Sequence, residues 1–310
     1  MSHQLNVMVL NAQDLFIFMD KYQGQPISEM NEIQWNLMSS SLINNKSKEK
    51  SFILGKTILD LNTDIVMMTE VGGLESLQNF ARFVLLDQYE AYSLPSNSDR
   101  GIDLGYLVKK HLPFRPVLKS YINYPLQNSG KKFSRDVLQL DLFLNEKLIL
   151  TFLLVHIKSK LDLRKSDFEG RGQRVLEIKG LIDIYKTLKL NNVPILIGGD
   201  FNGHAGEKDT EEEFQIMYAE TKLKDVAHLL NIPEEERFSY IYFNRGGNRF
   251  LQQIDYLFID EFYADRLVPG SACFPRYRNL EGMPLPIPKK AEQKNLLPSD
   301  HYPFFTSIRV

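Results

Sequence analysis

The chain has 310 residues, is 43% hydrophobic and 25% charged, and carries a formal net charge of −2. That composition supports a sizeable core and excludes a chain disordered along its whole length. The single cysteine, Cys273, excludes an intrachain disulfide and a cysteine-based zinc site, so any metal must be held by oxygen and imidazole.

In chain order, residues 5–11 (LNVMVLN) read as a short buried strand. Residues 27–61 read as helix in two pieces, with Ser28 capping the first and Ser47 or Ser51 opening the second. A buried strand follows at 64–69 (DIVMMT), then a helix from Leu74 to Leu85. The middle is strand-rich: 104–109, 115–119, 133–144 and 147–156 are rich in β-branched and large apolar residues, and Asn145-Glu146-Lys147 separates the last two like a hairpin loop. Residues 171–190 carry Val175, Leu176, Ile178, Leu181, Ile182 and Ile184 at helical spacing. A buried strand at 194–198 leads into a polar acidic stretch, and alternation returns at 240–243, 253–259 and 302–309. The Pro-rich stretch 281–298 reads as a long loop inside one domain spanning 1–310. Strands joined by helices in some places and by hairpins in others favour two packed sheets with helices outside.

No run approaches the ~18 apolar residues of a membrane span, and the N-terminal residues lack the basic region of a signal peptide. The expectation is a cytoplasmic protein, or one exported without a recognisable signal peptide. Charge is uneven: from Lys109 to Arg174 there are fourteen Lys/Arg against six Asp/Glu, and from Glu207 to Arg237 ten acids against four bases. Such a basic stretch is either solvated surface or a footprint for a polyanion.

The polar residues are the informative ones. Asn11 ends NVMVL, Glu70 ends DIVMMT, His156 ends LTFLLV, Asp200 and Asn202 follow PILIGG, Asp255 lies inside QIDYLFI, and Asp300-His301 opens the last strand. A charged residue in an apolar strand is costly unless paired or metal-bound. Several of them at strand ends suggest one site where sheets converge, with carboxylates as hard oxygen ligands or bases and imidazoles near neutral pKa.

These segments resemble the endonuclease/exonuclease/phosphatase superfamily, the fold of deoxyribonuclease I, nearly end to end and in order. VLNAQDLF resembles its opening box, DIVMMTEVGG its glutamate box, SDRGIDLGYLV and FSRDVLQLDL two following strands, and LLVHIKSK, IGGDFN, QIDYLFI and LPSDHYP its remaining boxes. The resemblance implies a four-layer α/β/β/α sandwich of two mixed, mainly antiparallel sheets. It also implies a Mg²⁺- or Mn²⁺-dependent phosphodiesterase, with Ca²⁺ as a further candidate ion. It assigns Glu70, Asn11 and Asp300 to the metal. Asp200 and Asn202 go to the attacking water, the Asp255–His301 pair and His156 to proton handling and charge stabilisation, and Arg135 and Lys158 to substrate phosphate. Gln13-Asp14 departs from the family, many members of which have a second Asn before Leu-Phe.

The P-A-W-C-D-R box of inositol-polyphosphate phosphatases is absent, while the H-x-K-S-K run and R-G-I-D strand look most like bacterial nucleases. The reading is therefore a nuclease, endo- or exo-acting, on DNA in preference to RNA, with little sequence specificity and nucleic acid as its partner; a monomer is expected. A phosphatase or lipid phosphodiesterase, and a catalytically inactive binding module on the same fold, are the alternatives.

Overall fold

The computed structural model describes residues 3–160 and 167–310. In chain order the elements are β1 (Gln4–Leu15), α1 (Glu32–Leu37), α2 (Lys48–Asp60), β2 (Ile65–Val71), α3 (Gly73–Phe83), β3 (Tyr89–Leu94), β4 (Asp103–Lys109), β5 (Arg115–Ser120), β6 (Val137–Leu144), β7 (Lys147–His156), α4 (Arg171–Lys189), β8 (Ile195–Asp200), α5 (Glu212–Glu220), β9 (Leu223–Asp225), α6 (Val226–Leu229), β10 (Tyr240–Phe243), β11 (Arg249–Gln252), β12 (Asp255–Asp260) and β13 (Phe304–Arg309).

Two mixed sheets form the centre. One has five strands in the order β13-β1-β2-β4-β3 and the other six in the order β5-β6-β7-β8-β12-β9. Each contains a single parallel pairing, β1 with β2 and β7 with β8, and is otherwise antiparallel. Alternate residues of each strand point to opposite faces, and three apolar cores follow from that. Val9, Met67, Leu154, Leu196 and Leu257 pack between the sheets. Ile53, Leu54, Ile58, Leu77 and Phe80 of α2 and α3 cover the outer face of the first sheet. Ile178, Leu181, Ile182, Phe214 and Met217 of α4 and α5 cover the outer face of the second. The layers are helix, sheet, sheet, helix. Among the described residues no helix is long and apolar enough to cross a membrane.

Local chemistry moves some boundaries. Ser28 lies in a single 3-10 turn, Ile27–Glu29, and does not cap α1. Asn31 does, through a reciprocal capping box with Gln34. Ser47 caps α2 by accepting from the Lys50 amide, as expected. The β6–β7 turn is tighter than the sequence suggests. Asn145 and Glu146 are both left-handed, as a two-residue hairpin turn requires, and Lys147 already belongs to β7. The 281–298 loop contains one 3-10 segment, Ala291–Leu296.

A buried carboxylate in this frame gives a stability prediction. Asp225 is 2% exposed. It caps α6 by accepting from the Ala227 amide, and its second oxygen accepts from Gln253. Burial pushes its pKa up to about 7, above the ~3.9 of an unfolded aspartate. The folded state therefore binds this proton more tightly than the unfolded state. The cost of the charged form is absent below ~4 and complete above ~7. Asp225→Asn retains the cap and removes the charge. It is expected to stabilise the fold on the order of 2 kcal/mol more at pH 8 than at pH 4, measured by denaturant unfolding at the two pH values. Equal effects at both would contradict a desolvated carboxylate.

Candidate active site

Two bulges open the site. In β1 the pairing with β2 breaks between Asn11 and Leu15, and in β2 it breaks between Thr69 and Val71. Among the residues set free, Gln13, Asp14 and Glu70 have positive φ. A bulge re-aims a side chain at the cost of local strain, and here it turns the Glu70 carboxylate out of the sheet toward the second one. In that second sheet Asp200 is in register with His156 on one side and Asp255 on the other, so the three stand in one row at the strand ends. Gly199 lets β8 approach β7: an added Cβ would lie 1.9 Å from the Val155 carbonyl oxygen.

Asp200 is held from both sides. Its Oδ2 accepts from the Asn11 amide at 3.0 Å and its Oδ1 from the Asn202 backbone at 2.8 Å. Burial, reinforced by the Asp255 charge, pushes its pKa up to about 7. His301 stands beside it, with Nε2 4.0 Å from Asp200 Oδ2 and 3.9 Å from Asp300 Oδ1. Its Nδ1 is 2.7 Å from Asp255 Oδ2. Burial alone would lower the His301 pKa, but the surrounding Asp255, Asp300 and Asp200 carboxylates outweigh it and hold it well above the ordinary value. His156 goes the other way. Burial, with Arg135 and His301 nearby, holds its pKa well below the ordinary value. Its Nε2 is 3.6 Å from Asp200 and 4.0 Å from Glu70. One imidazole is thus built to be charged and the other neutral.

The terminal box is tied to the first strand. Ser299 Oγ donates to the Asn11 carbonyl at 2.7 Å and accepts from the His301 amide at 3.1 Å. The Asp300 amide donates to Gln13 Oε1 at 2.9 Å, and Tyr277 OH donates to the His301 carbonyl at 2.6 Å. On the other side, Ser239 Oγ accepts from the Asp255 amide at 3.0 Å.

A cavity of about 690 Å³ lies over these groups and is lined by Glu70, Asp200, Asn202, Asp300 and His301 among others. Asn11, His156 and Asp255 lie behind its wall and are 1%, 4% and 1% exposed. Eight of the ten residues singled out by sequence thus come together. The Asn11 side chain donates to Asp200, accepts from the Gln13 backbone and also hydrogen-bonds Glu70, so it steadies both carboxylates. Asn202 spends its side-chain amide on the Ile157 carbonyl at 3.0 Å. The remaining two, Arg135 and Lys158, do not line the cavity. Arg135 is 9% exposed, with Glu177, Asp200 and Glu70 as its electrostatic neighbours. Lys158 donates through Nζ to the Ser159 carbonyl at 3.1 Å.

Sequence reasoning missed Lys46, Tyr240 and Arg100 as site residues. Lys46 Nζ donates to the Gln13 carbonyl at 2.8 Å, and burial brings its pKa down to about 7. The Tyr240 ring packs 4.9 Å from the His301 ring. Arg100 lines the cavity and pairs with Asp14. Only Arg100 had a visible signal, its place in the R-G-I-D segment.

The donor set fits a hard divalent cation. Glu70 is desolvated, which raises its pKa. Among the described residues its one ion-pair neighbour is His156, at 4.0 Å. A largely desolvated carboxylate facing the cavity beside Asp14, held only by longer-range attraction to His301 and Arg100, is an environment that Mg²⁺ or Mn²⁺ relieves. Asp200, Asp255 and His301 also offer one ligand-type atom each within 4.8 Å of one another. There, however, Asp255 is already committed to His301 Nδ1, an orienting contact.

The sequence matches no family model and no curated protein. Solved structures do match. TDP2 from C. elegans superposes with a TM-score of 0.59 at 17% identity, covering 99% of this chain and 75% of that one. An endonuclease/exonuclease/phosphatase family protein from Bacteroides thetaiotaomicron gives 0.57 at 14% identity, covering 100% and 96%. The chain has the endonuclease/exonuclease/phosphatase fold. TDP2 from D. rerio, in complex with a single-strand DNA product, is a third example, at 0.58 and 13% identity over 98% of both chains. In this endonuclease/exonuclease/phosphatase fold the strand ends that carry Asn11, Glu70, His156, Asp200, Asp255 and His301 meet at one end of the two sheets.

Proposed function

We propose that the chain is a divalent-metal-dependent phosphodiesterase that hydrolyses nucleic acid, acting on DNA with little sequence specificity. The observation that carries this reading is the continuous set of contacts from Asn11 through Asp200 to His301 and Asp255, with Glu70 beside it at the base of one cavity. Glu70 would hold the ion, with Asp300 alongside; when bound, Mg²⁺ or Mn²⁺ supplies positive charge against the phosphate oxygens.

The chain's own groups divide the remaining work. Asp200, with its pKa near 7, is matched to taking a proton from water close to neutral pH. Asn11 and the Asn202 backbone fix which lone pair it presents. His301 is charged and held by Asp255, so it stabilises negative charge on phosphorus-bound oxygen and can donate a proton through Nε2. His156, with its pKa held low by burial, faces Asp200 and Glu70 through Nε2 and orients these two carboxylates from behind the cavity wall. Two further observations support a nucleic acid. The similar TDP2 from D. rerio holds a single-strand DNA product, and Arg100 and Lys160 stand at the cavity wall.

The test is a substrate panel of plasmid DNA, an RNA transcript, a phosphoinositide and sphingomyelin, each with Mg²⁺ and with EDTA. Cleavage of DNA, abolished by EDTA, is expected. Turnover confined to either lipid would overturn the reading.

A further inference from the structure

Arg100 and Lys160 are the two Lys/Arg side chains lining the cavity among the described residues. Lys160 is paired with Glu211 at 2.5 Å. Arg100 Nη2 meets Asp14 Oδ1 at 2.7 Å, and both side chains remain about half-exposed, at 58% and 48%. An exposed pair of this kind contributes little net stability, because water screens the attraction and two side chains must be held still. It is therefore easily exchanged for another anion.

The backbone beneath Asp14 is far more costly than that pair. Gln13 and Asp14 are consecutive non-glycine residues with φ of 48° and 54°. Lys46 Nζ, the Asn11 side chain and the Asp300 amide all bond to Gln13 and hold it there. The result aims the Asp14 amide at Glu70 Oε2, at 3.3 Å, and the Asp14 carboxylate at Arg100. Arg100 is positioned in turn by a serine-capped turn: its amide donates to Ser98 Oγ, and Gly101 closes the turn at φ 69°.

We infer that Arg100 is the side chain that binds the substrate's phosphodiester, and that Asp14 is its resting counter-ion, displaced when a non-bridging phosphate oxygen takes its place. The inference rests on the phosphodiesterase reading and gives its site a phosphate-binding residue on the cavity wall, which Arg135 and Lys158 do not line. A guanidinium suits this exchange because its planar fork satisfies a carboxylate or a phosphate equally well.

The test measures binding of a 5′-fluorescein 12-mer oligodeoxynucleotide in EDTA by anisotropy, and kcat and KM for its cleavage in Mg²⁺. The proteins are the parent, Arg100→Ala, Asp14→Asn and the double variant, with thermal melts to confirm folding. Losing a charge-assisted hydrogen bond should weaken binding, and raise KM, about tenfold to a hundredfold for Arg100→Ala, with kcat within about threefold. Asp14→Asn should tighten binding a few-fold by removing the competitor, and should do nothing in the Arg100→Ala background. A merely structural pair would loosen binding in both single variants, and that result overturns the inference. So does an unchanged Arg100→Ala, which leaves the phosphodiesterase reading standing if the parent cleaves. A parent that binds as described but cleaves no phosphodiester overturns the functional reading while keeping the anion site. A parent that neither binds nor cleaves overturns both.

Discussion

Replacing Asp255 or His301 is expected to cost nearly as much as replacing both. The two are joined at 2.7 Å, and both are almost fully buried. Among the described residues Asp255 Oδ1 has no hydrogen-bond partner, so the side-chain hydrogen bond of this carboxylate is to one imidazole, through Oδ2. Without it, His301 loses both its orientation and the main electrostatic support for its charged form. Asp255→Asn and His301→Ala should each lower turnover by about a thousandfold or more, with the double variant close to the worse single one, because groups that act as a unit are strongly non-additive. Circular dichroism confirms folding. Losses that simply multiply would show that the residues act independently.

Glu70→Gln is the second large effect. The substitution keeps the size of a side chain that a bulge aims into the cavity and removes its charge. Turnover should fall on the order of a hundredfold or more, in line with lost charge stabilisation at phosphorus. The Mg²⁺ concentration for half-activation should rise in parallel. Relief of a desolvated carboxylate also predicts a stability gain in the metal-free protein, so a thermal melt in EDTA should show Glu70→Gln at or above the parent. A variant with parental Mg²⁺ dependence would remove Glu70 from the metal site.

How much of this was legible beforehand follows from where the information lies. Apolar strands that end in Asn11, Glu70, His156 and Asp200 announce themselves because burial of such residues is costly, and the two-sheet architecture followed from the same strands. The short edge strands were not visible: Leu223–Asp225 has three residues, and Arg249–Gln252 alternates without a buried face. At the site, residue types were legible but the contacts between them were not. That Asn11 serves Asp200 depends on a contact between residues 189 apart in sequence. Lys46 reaches the site through a backbone carbonyl, which no side-chain pattern reveals. The left-handed backbone at Gln13 and Asp14 turns an apparent departure from the family box into a carboxylate facing Arg100. The charge of Arg135 was visible in sequence, but its burial beside Glu177, Asp200 and Glu70 was not.

The central claim is that Asp200, set between Asn11, His301 and Glu70, is the base of a metal-dependent phosphodiesterase. The most direct measurement is the initial rate of cleavage of a labelled oligodeoxynucleotide in Mg²⁺ by the parent and by Asp200→Asn, at equal concentration and with matched melting curves. The amide retains the shape and the contact with the Asn202 backbone while removing the proton acceptor, and the rate should fall by about a thousandfold or more, the usual scale for losing a general base together with its charge. A folded Asp200→Asn that cleaves at the parental rate would contradict the account.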